Sequence, residues 1–179
     1  MLNVEKRYTE ICGMPILIED SARPVGRVHD LIVDPENGNL IAFTANSRGN
    51  KVIAPRDVLK FGRHLLIRDH EDICDTGDIL RVSEVQERAV PIMKNKVETE
   101  KGEYLGRVFD YVVDTKAQKL IKLYVAKSLL GLLRVDVRII SAKYIVEITP
   151  NVILIKDSLA KIPIEEEHEE LRVEEMSEV

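Results

Sequence analysis

The segment GRVHDLIVD at residues 26–34 returns eighty positions later as GRVFDYVVD at residues 106–114. The repetition continues at the same spacing, because Leu-Ile-Ala-Phe at 40–43 is answered by Leu-Ile-Lys-Leu at 120–123. An internal repeat of this kind indicates two copies of one small structural unit. We therefore look for function in what the two copies, here called unit one and unit two, do not share.

Short β-strands separated by turns are the expected structure of unit one. Apolar runs at Pro15–Ile18, Val25–Val33 and Leu40–Ala45 each border a cluster of turn residues. Asn37-Gly38 between two of these runs is typical of a tight hairpin, because both residues tolerate positive φ. The fold class predicted for the chain is mainly all-β, with two tandem small antiparallel β-barrels of about six strands each and short helical turns.

Unit two repeats this plan with one addition. Arg138–Ile145 corresponds to Lys51–Val58 at a spacing of 87 instead of 80. The change of spacing places an insertion of about seven residues within the segment 126–138. Unit one has no equivalent of this segment.

We predict four parts along the chain. The first barrel spans residues 1–75, a polar and partly helical connector spans 76–90, the second barrel spans 91–163, and an acidic tail, disordered or helical, spans 164–179. The charge is uneven, because residues 90–164 carry a net charge of +5 while the last fifteen residues hold eight glutamates and one arginine.

Composition indicates a reduced, cytoplasmic protein. Met1–Arg7 has charges but no apolar stretch behind it, so we expect no signal peptide. No apolar run approaches the roughly 20 residues that a membrane-spanning helix requires. Cys12 and Cys74 lie outside any C-x-x-C pattern, and free thiols are favoured over a bridge between them.

The pattern Pro-Ile, an acidic turn, Val-Gly-x-Val-x-Asp with two apolar residues and Val-Asp, a hairpin, then Lys-Val-Ile-x-x-x-Asp-Val resembles the PRC-barrel family. The resemblance covers residues 11–72 and 92–158 and implies a β-barrel of about six strands in each unit. Family members include the cytoplasmic part of the photosynthetic reaction-centre H subunit, half of a ribosome maturation factor and archaeal cell-division proteins. These use the barrel to hold other macromolecules, and the resemblance implies no catalytic constellation.

The repeated aspartates are the obvious carboxylate candidates. Two acids four positions apart at a strand end could bind a cation, or could accept hydrogen bonds from turn amides. A requirement of the fold recurs in both copies, so the structural role is favoured. The predicted structural set comprises Gly26, Asp30, Asp34, Gly106, Asp110 and Asp114.

No pattern in the chain predicts a metal site, a cofactor or an active site. Asp34-x-Glu36-x-Gly38 lacks the spacing and the distal glutamate of a calcium loop. His64, His70 and Cys74 lie near one another in sequence without the spacing of zinc ligands. The chain has no nucleophile elbow and no glycine-rich phosphate loop, so we do not expect an enzyme.

The insertion is the leading candidate for a binding site. Its leucines either pack on their own barrel or form an exposed apolar tip rimmed by basic residues. A tip of that kind suits an acidic amphipathic segment of a partner protein or an anionic membrane surface. The predicted partner-binding residues are Lys119, Lys122, Lys127, Leu129, Leu130, Leu132, Leu133, Arg134 and Arg138.

These observations favour a non-enzymatic binding or scaffold protein that assembles with another protein or complex, with a homodimer as one form. RNA binding in ribosome maturation is the alternative that the family resemblance suggests, but the pI of about 5.5 and the low aromatic content of 4% oppose it. A peripheral membrane adaptor is the third hypothesis. The acidic tail either stays solvated or covers the basic face of unit two in a salt-dependent way.

Overall fold

The computed structural model describes residues 5–19, 21, 23–88, 90–129 and 133–157. Within these residues the chain forms β-strands with two short α-helices and several 3-10 turns, so the all-β prediction is confirmed. Neither of the helices in the described part of the chain is long and apolar enough to cross a membrane.

Unit one and its flanking segments comprise nine strands and both helices in the described residues. In chain order these are β1 (Glu5–Arg7), α1 (Tyr8–Ile11), β2 (Pro15–Ile18), β3 (Gly26–Arg27), β4 (Asp30–Val33), β5 (Leu40–Thr44), β6 (Lys51–Ile53), β7 (Val58–Phe61), β8 (Leu65–Ile67), β9 (Cys74–Asp75) and α2 (Leu80–Glu87).

Unit two follows with six described strands. They are β10 (Lys96–Thr99), β11 (Tyr104–Asp114), β12 (Lys119–Leu129), β13 (Leu133–Ser141), β14 (Ile145–Ile148) and β15 (Val152–Ile155).

The strands of unit one form two four-stranded sheets, ordered β3-β2-β8-β7 and β4-β5-β6-β9. The strand predicted at Val25–Val33 is interrupted between β3 and β4, because the Val28 amide bonds to the Met14 carbonyl and the Val28 carbonyl accepts from the Gly13 amide. The strands of unit one pair in the predicted antiparallel manner except at one place, where β2 and β8 are parallel. The 3-10 turn at Pro55–Asp57 redirects the chain so that the β7–β8 hairpin brings β8 back alongside β2.

Unit two has the same plan in a continuous sheet, ordered β13-β12-β11-β10-β15-β14. Its first and last strands, β10 and β15, are again parallel. The 3-10 turn at Ala142–Tyr144 takes the place of the one at Pro55–Asp57, and β14–β15 takes the place of β7–β8. The two copies therefore share topology as well as sequence.

Each unit is contacted by the segment that precedes the other. The strand β1, which the sequence divisions assign to unit one, pairs with the second half of β11 in unit two. The helix α2, which leads into unit two, packs its Val82 and Val85 side chains against Ile32, Ala42 and Val52 of unit one. We call these segments the reciprocal lead-ins.

The two units are also joined directly. The Leu40 amide donates to the Gln118 carbonyl and the Leu120 amide donates to the Gly38 carbonyl, both at 2.8 Å, so the β4–β5 and β11–β12 hairpins are bonded to each other. One cluster of buried apolar side chains runs through both units, from Phe43 in the first to Leu123 in the second. The described units therefore share one core.

Candidate functional site

The arginines of the repeated Gly-Arg-Val segment build the same local structure in each unit. The Nη1 of Arg27 donates to the Gly13 carbonyl at 2.7 Å, and the Nη1 of Arg107 donates to the Lys94 carbonyl at 3.0 Å. Gly13 and Lys94 both have positive φ, 86° and 64°. Each arginine thus holds a left-handed turn before the first strand of its unit, a role that the sequence reasoning missed although the repeat pointed to it.

Each repeated aspartate accepts a hydrogen bond from a main-chain amide. Asp30 and Asp110 accept from the residue that follows, at 2.8 and 2.9 Å. Asp34 and Asp114 accept from the residue two positions on, at 3.0 and 2.8 Å, at the start of each hairpin turn. Among the residues that the structure describes, no group of three or more histidine, cysteine or acidic side chains could hold a metal ion.

The two repeated glycines have different surroundings. Gly106 has a φ of 134°, and a Cβ placed there would collide with the main chain of Ala126 and Lys127 on β12. A Cβ at Gly26 would lie 3.5 Å from the Ala45 carbonyl oxygen, an ordinary contact. Only the second glycine is therefore required for a close approach of two strands.

Arg81 attaches α2 to the β4–β5 hairpin of unit one. Its Nε and Nη2 donate to the two oxygens of Asp34 at 2.9 and 2.8 Å, and it also contacts Glu36 and Glu84. Arg88 adds a second contact to Glu36 at 2.6 Å. The carboxylate of Asp34 is thereby almost fully enclosed, with 3% of the residue exposed.

The same contacts set the protonation of this hairpin turn. Burial by itself raises the pKa of Asp34, but hydrogen bonds from Arg81, the Glu36 amide and Asn37 outweigh it and hold the pKa below its ordinary value. The pKa of Glu36 is lowered by hydrogen bonds from Arg88 and Arg81. This ion-pair network explains how the connector is fixed to unit one.

A polar cluster lies where the N-terminal lead-in meets unit two. The Thr9 hydroxyl donates to Asp110 at 2.7 Å, and the rings of Tyr8 and Tyr111 lie 4.9 Å apart. Burial raises the pKa of both tyrosines and of Cys12 above their ordinary values. Every buried side-chain nitrogen and oxygen in the described residues has a hydrogen-bond partner. The Thr9–Asp110 bond and the contact between the two tyrosine rings join α1 to unit two.

The insertion lengthens a hairpin. β12 and β13 contain eleven and nine residues, whereas their counterparts β5 and β6 contain five and three. The predicted tip residues Leu130 and Leu132 lie outside the described residues. The main chains of Leu129, Leu133 and Arg134 extend β12 and β13, and their side chains lie outside what the structure describes.

The predicted basic residues divide into those that contact Asp136 and those that lie farther from the tip of the hairpin. Lys127 and Arg138 meet at Asp136, with an ion pair of 3.1 Å from Lys127 and two hydrogen bonds of 3.1 Å from Arg138. Hydrogen bonds from Arg138 and Lys127 hold the pKa of Asp136 below its ordinary value. Lys122 lies farther back and pairs with Glu5 of β1 at 3.4 Å.

Lys119 is the remaining predicted cation whose side chain the structure describes. It lies opposite Asn39, beside the contact between the β4–β5 and β11–β12 hairpins. It is therefore separated from the hairpin cations. Asp136 is a site residue that sequence reasoning missed, although it is the one acid within the insertion.

The outer face of unit two is the surface of β11, β12 and β13 that bears Val112, Lys122, Tyr124, Val137 and Ile139. Val137 and Ile139 are 42% and 39% exposed. The guanidinium of Arg7 lies 4.8 Å from the centre of the Tyr124 ring and covers part of this face. The rest of the β13 surface is open in the described structure, which makes it the candidate binding site.

The corresponding face of unit one is closed. Val52 on β6 holds the position that Ile139 holds on β13, because Val52 is paired with Thr44 as Ile139 is with Tyr124. Val52 is fully buried beneath α2. In addition, β9 pairs with the outer edge of β6, whereas β13 ends the strand order of its sheet.

Residues 3–78 match a family model, that of the PRC-barrel domain. The match covers β1 and all of unit one, and the family prediction is confirmed there. No curated protein matches the chain. The likeness of unit two to unit one is carried by the strand register and the internal sequence repeat.

Proposed function

We propose that this chain, whose residues 3–78 match the PRC-barrel domain, is a non-enzymatic cytoplasmic binding protein that assembles with another protein through unit two. The PRC-barrel domain is a small β-barrel module often involved in protein interactions. The contact surface is the outer face of unit two together with the long β12–β13 hairpin. The partner contributes an apolar segment that carries acidic residues.

The observation that carries this proposal is the contrast between Ile139 and Val52. Two equivalent strand positions are 39% exposed in one unit and fully buried in the other. Full burial of an aliphatic side chain gives roughly 1.5–3 kcal/mol. Covering the exposed parts of Val137 and Ile139 would give only about 1–2.5 kcal/mol together. A stable complex therefore requires further contacts from the rest of the face and from the β12–β13 hairpin.

The charges beside this face support an acidic partner. Lys127 and Arg138 share the single carboxylate of Asp136, so the described base of the hairpin keeps a positive surplus. Rim charges of this kind speed association and select partners more than they add affinity. The low aromatic content of 4% and the pI of about 5.5, rather than the charge of this face, oppose RNA as the partner.

The test is affinity capture from the native source with a double variant, Val137→Ser with Ile139→Ser. We expect this variant to lose the captured protein while its circular dichroism spectrum stays that of the wild type. Leu59→Ser with Val146→Ser is the matched control, because those side chains are 43% and 48% exposed on other strands. The control should retain the partner.

The tip of the hairpin gives a second arm of the same test. Leu130→Ser with Leu132→Ser should also abolish capture with little change in thermal stability. Retention of the partner by both hairpin variants would rule out this surface. A large loss of stability in the tip variant would show that these leucines belong to the core.

A further inference from the structure

The acidic tail contains a second copy of the sequence with which α2 begins. α2 begins with LRVSEV at residues 80–85, and the tail contains LRVEEM at residues 171–176. Four of the six positions are identical, and the last pairs valine with methionine. The internal sequence repeat therefore extends to the segment whose first copy packs on unit one.

We propose that residues 171–176 dock in cis on the outer face of unit two as α2 docks on unit one. Val173 and Met176 would cover Ile139 and its neighbours, and Arg172 would reach Asp114. The inference rests on the proposed function, because it assigns an intramolecular occupant to the surface that binds the partner.

The contacts of α2 show what this short sequence does when it docks. Val82 and Val85 are buried, and they pack on Ile32, Ala42 and Val52. Arg81, between the leucine and the first valine of the motif, forms the bidentate contact to Asp34. These two apolar residues and this arginine have counterparts in the tail. Gln86, which donates to the Gly49 carbonyl, and Arg88, which contacts Glu36, do not, because Ser177 and Val179 stand in their places.

Unit two has the matching positions in the same register. Val112 is paired with Lys122 as Ile32 is with Ala42. Tyr124 is paired with Ile139 as Thr44 is with Val52. Asp114 begins its hairpin turn as Asp34 does, and its Oδ1 accepts from the amides of Lys116 and Ala117.

The chain is long enough for this contact. In unit one, thirteen positions separate the end of β8 at Ile67 from Leu80. In unit two, sixteen positions separate the end of β15 at Ile155 from Leu171. A connection that suffices in the first unit therefore has three residues to spare in the second, or about 10 Å of extended chain.

Charge favours the same placement. Glutamates surround the tail motif, and the base of the β12–β13 hairpin presents Lys127 and Arg138 around one aspartate. Arg172 is the single arginine or lysine of residues 165–179 and stands where Arg81 stands in α2. Its expected neighbours, Asp114 and Glu5, face each other across β11 and β1.

The attachment should be weaker than that of α2. Lys122 and Tyr124 replace the smaller Ala42 and Thr44, and Arg7 already lies over the tyrosine ring. The tail then rests mainly on the β13 side of the face. A partner segment with the same apolar and acidic chemistry can displace it.

Thiol protection tests the inference in the full chain. In a Cys12→Ser/Cys74→Ser background, an Ile139→Cys variant should react with a maleimide several-fold more slowly than the same variant ending at Ile164. A Leu59→Cys variant is the matched control, with a side chain 43% exposed on unit one, and its rate should not depend on the tail. Equal rates for Ile139→Cys with and without the tail would overturn the proposal.

Point variants keep the full chain and identify the contacts. Val173→Ser with Met176→Ser should remove the protection of Ile139→Cys, and so should Arg172→Glu. Adding Asp114→Lys to Arg172→Glu should restore it. Protection that survives all tail variants would contradict the docking mode, and protection that fades on dilution would show a second copy instead of docking in cis.

The capture experiment separates this inference from the proposed function. If the tail protects Ile139→Cys but no captured protein depends on Val137 and Ile139, the tail contact is supported and the proposed function is wrong. A partner lost in the Val137→Ser/Ile139→Ser variant, with no protection by the tail, would do the reverse. If both hold, deletion of the tail should raise the affinity for the captured partner.

Discussion

At the scale of single residues, equivalent positions of the two units have the same local hydrogen bonds in some cases and different surroundings in others. Sequence identity between the copies predicted a structural role for the repeated aspartates and glycines, and in the structure each of these aspartates accepts a main-chain hydrogen bond. It could not predict that only Gly106 lies against a neighbouring main chain, because that approach depends on the lengthened β12. Nor could it reveal the Arg81–Asp34 contact, which joins residues far apart in the chain.

The two glycines provide a matched pair of substitutions. Gly106→Ala should lower the free energy of unfolding by more than about 2 kcal/mol, because it adds both a strained φ and a main-chain collision. Gly26→Ala should change it by no more than about 1 kcal/mol. Urea unfolding monitored by circular dichroism measures both, and similar losses at the two positions would contradict this account.

Asp34 should make unfolding depend on acid. Its pKa is lowered in the folded chain, so its contribution to stability is complete above the unfolded value of about 4 and is lost as the pH falls through the folded pKa. The difference in unfolding free energy between the wild type and Asp34→Asn should therefore be full at neutral pH and shrink below about pH 4.

Arg81→Ala is the control for this acid dependence, because it removes the main hydrogen-bond donor and leaves the carboxyl in place. The pH dependence attributed to Asp34 should flatten in that variant. An unchanged acid profile in Arg81→Ala would assign the effect to other groups.

At the scale of elements, the strands with strong apolar patterns were predictable and the lead-ins were not. Pro15–Ile18 is a strand as expected, and the apolar run at Leu40–Ala45 contains the strand Leu40–Thr44. Glu5–Arg7 has no strand pattern at all. It is extended because the second half of β11 offers main-chain partners there, a long-range cause that a local pattern does not contain.

Deletion of residues 1–7 should therefore affect unit two more than unit one. It removes the pairing with Val112–Asp114, the Glu5–Lys122 ion pair and the contact of Arg7 with Tyr124. Amide hydrogen exchange should become faster in the second half of β11, while residues 104–107, which pair with β10, stay protected. Faster exchange confined to unit one would contradict this assignment of β1.

At the scale of the whole molecule, the repeat predicted two units but not their union. A unit of about 80 residues is marginally stable alone, so contact between the two units stabilises both. The described structure goes further, with mutual hydrogen bonds between hairpins and one apolar core. Sequence reasoning missed the outer face of unit two. This face stands out only when it is compared with the equivalent face of unit one, which α2 covers.

The full chain should accordingly unfold in one cooperative transition. Calorimetry should give a single peak, with equal calorimetric and van't Hoff enthalpies. A fragment ending at Asp78, which contains the matched domain, should lack a cooperative transition because it loses unit two's side of the core and α2. Two separate peaks for the full chain, or a stable fragment, would show that the units are independent.

The reciprocal lead-ins have a consequence for synthesis. The strand β1 pairs with residues that lie about a hundred positions farther along the chain and are therefore synthesised later. At translation rates of roughly 5–20 residues per second, β1 waits on the order of 5–20 seconds for its partner. During that interval nascent β1 lacks its pairing partner, so the sheet of unit two can be completed only after Val112–Asp114 have left the ribosome.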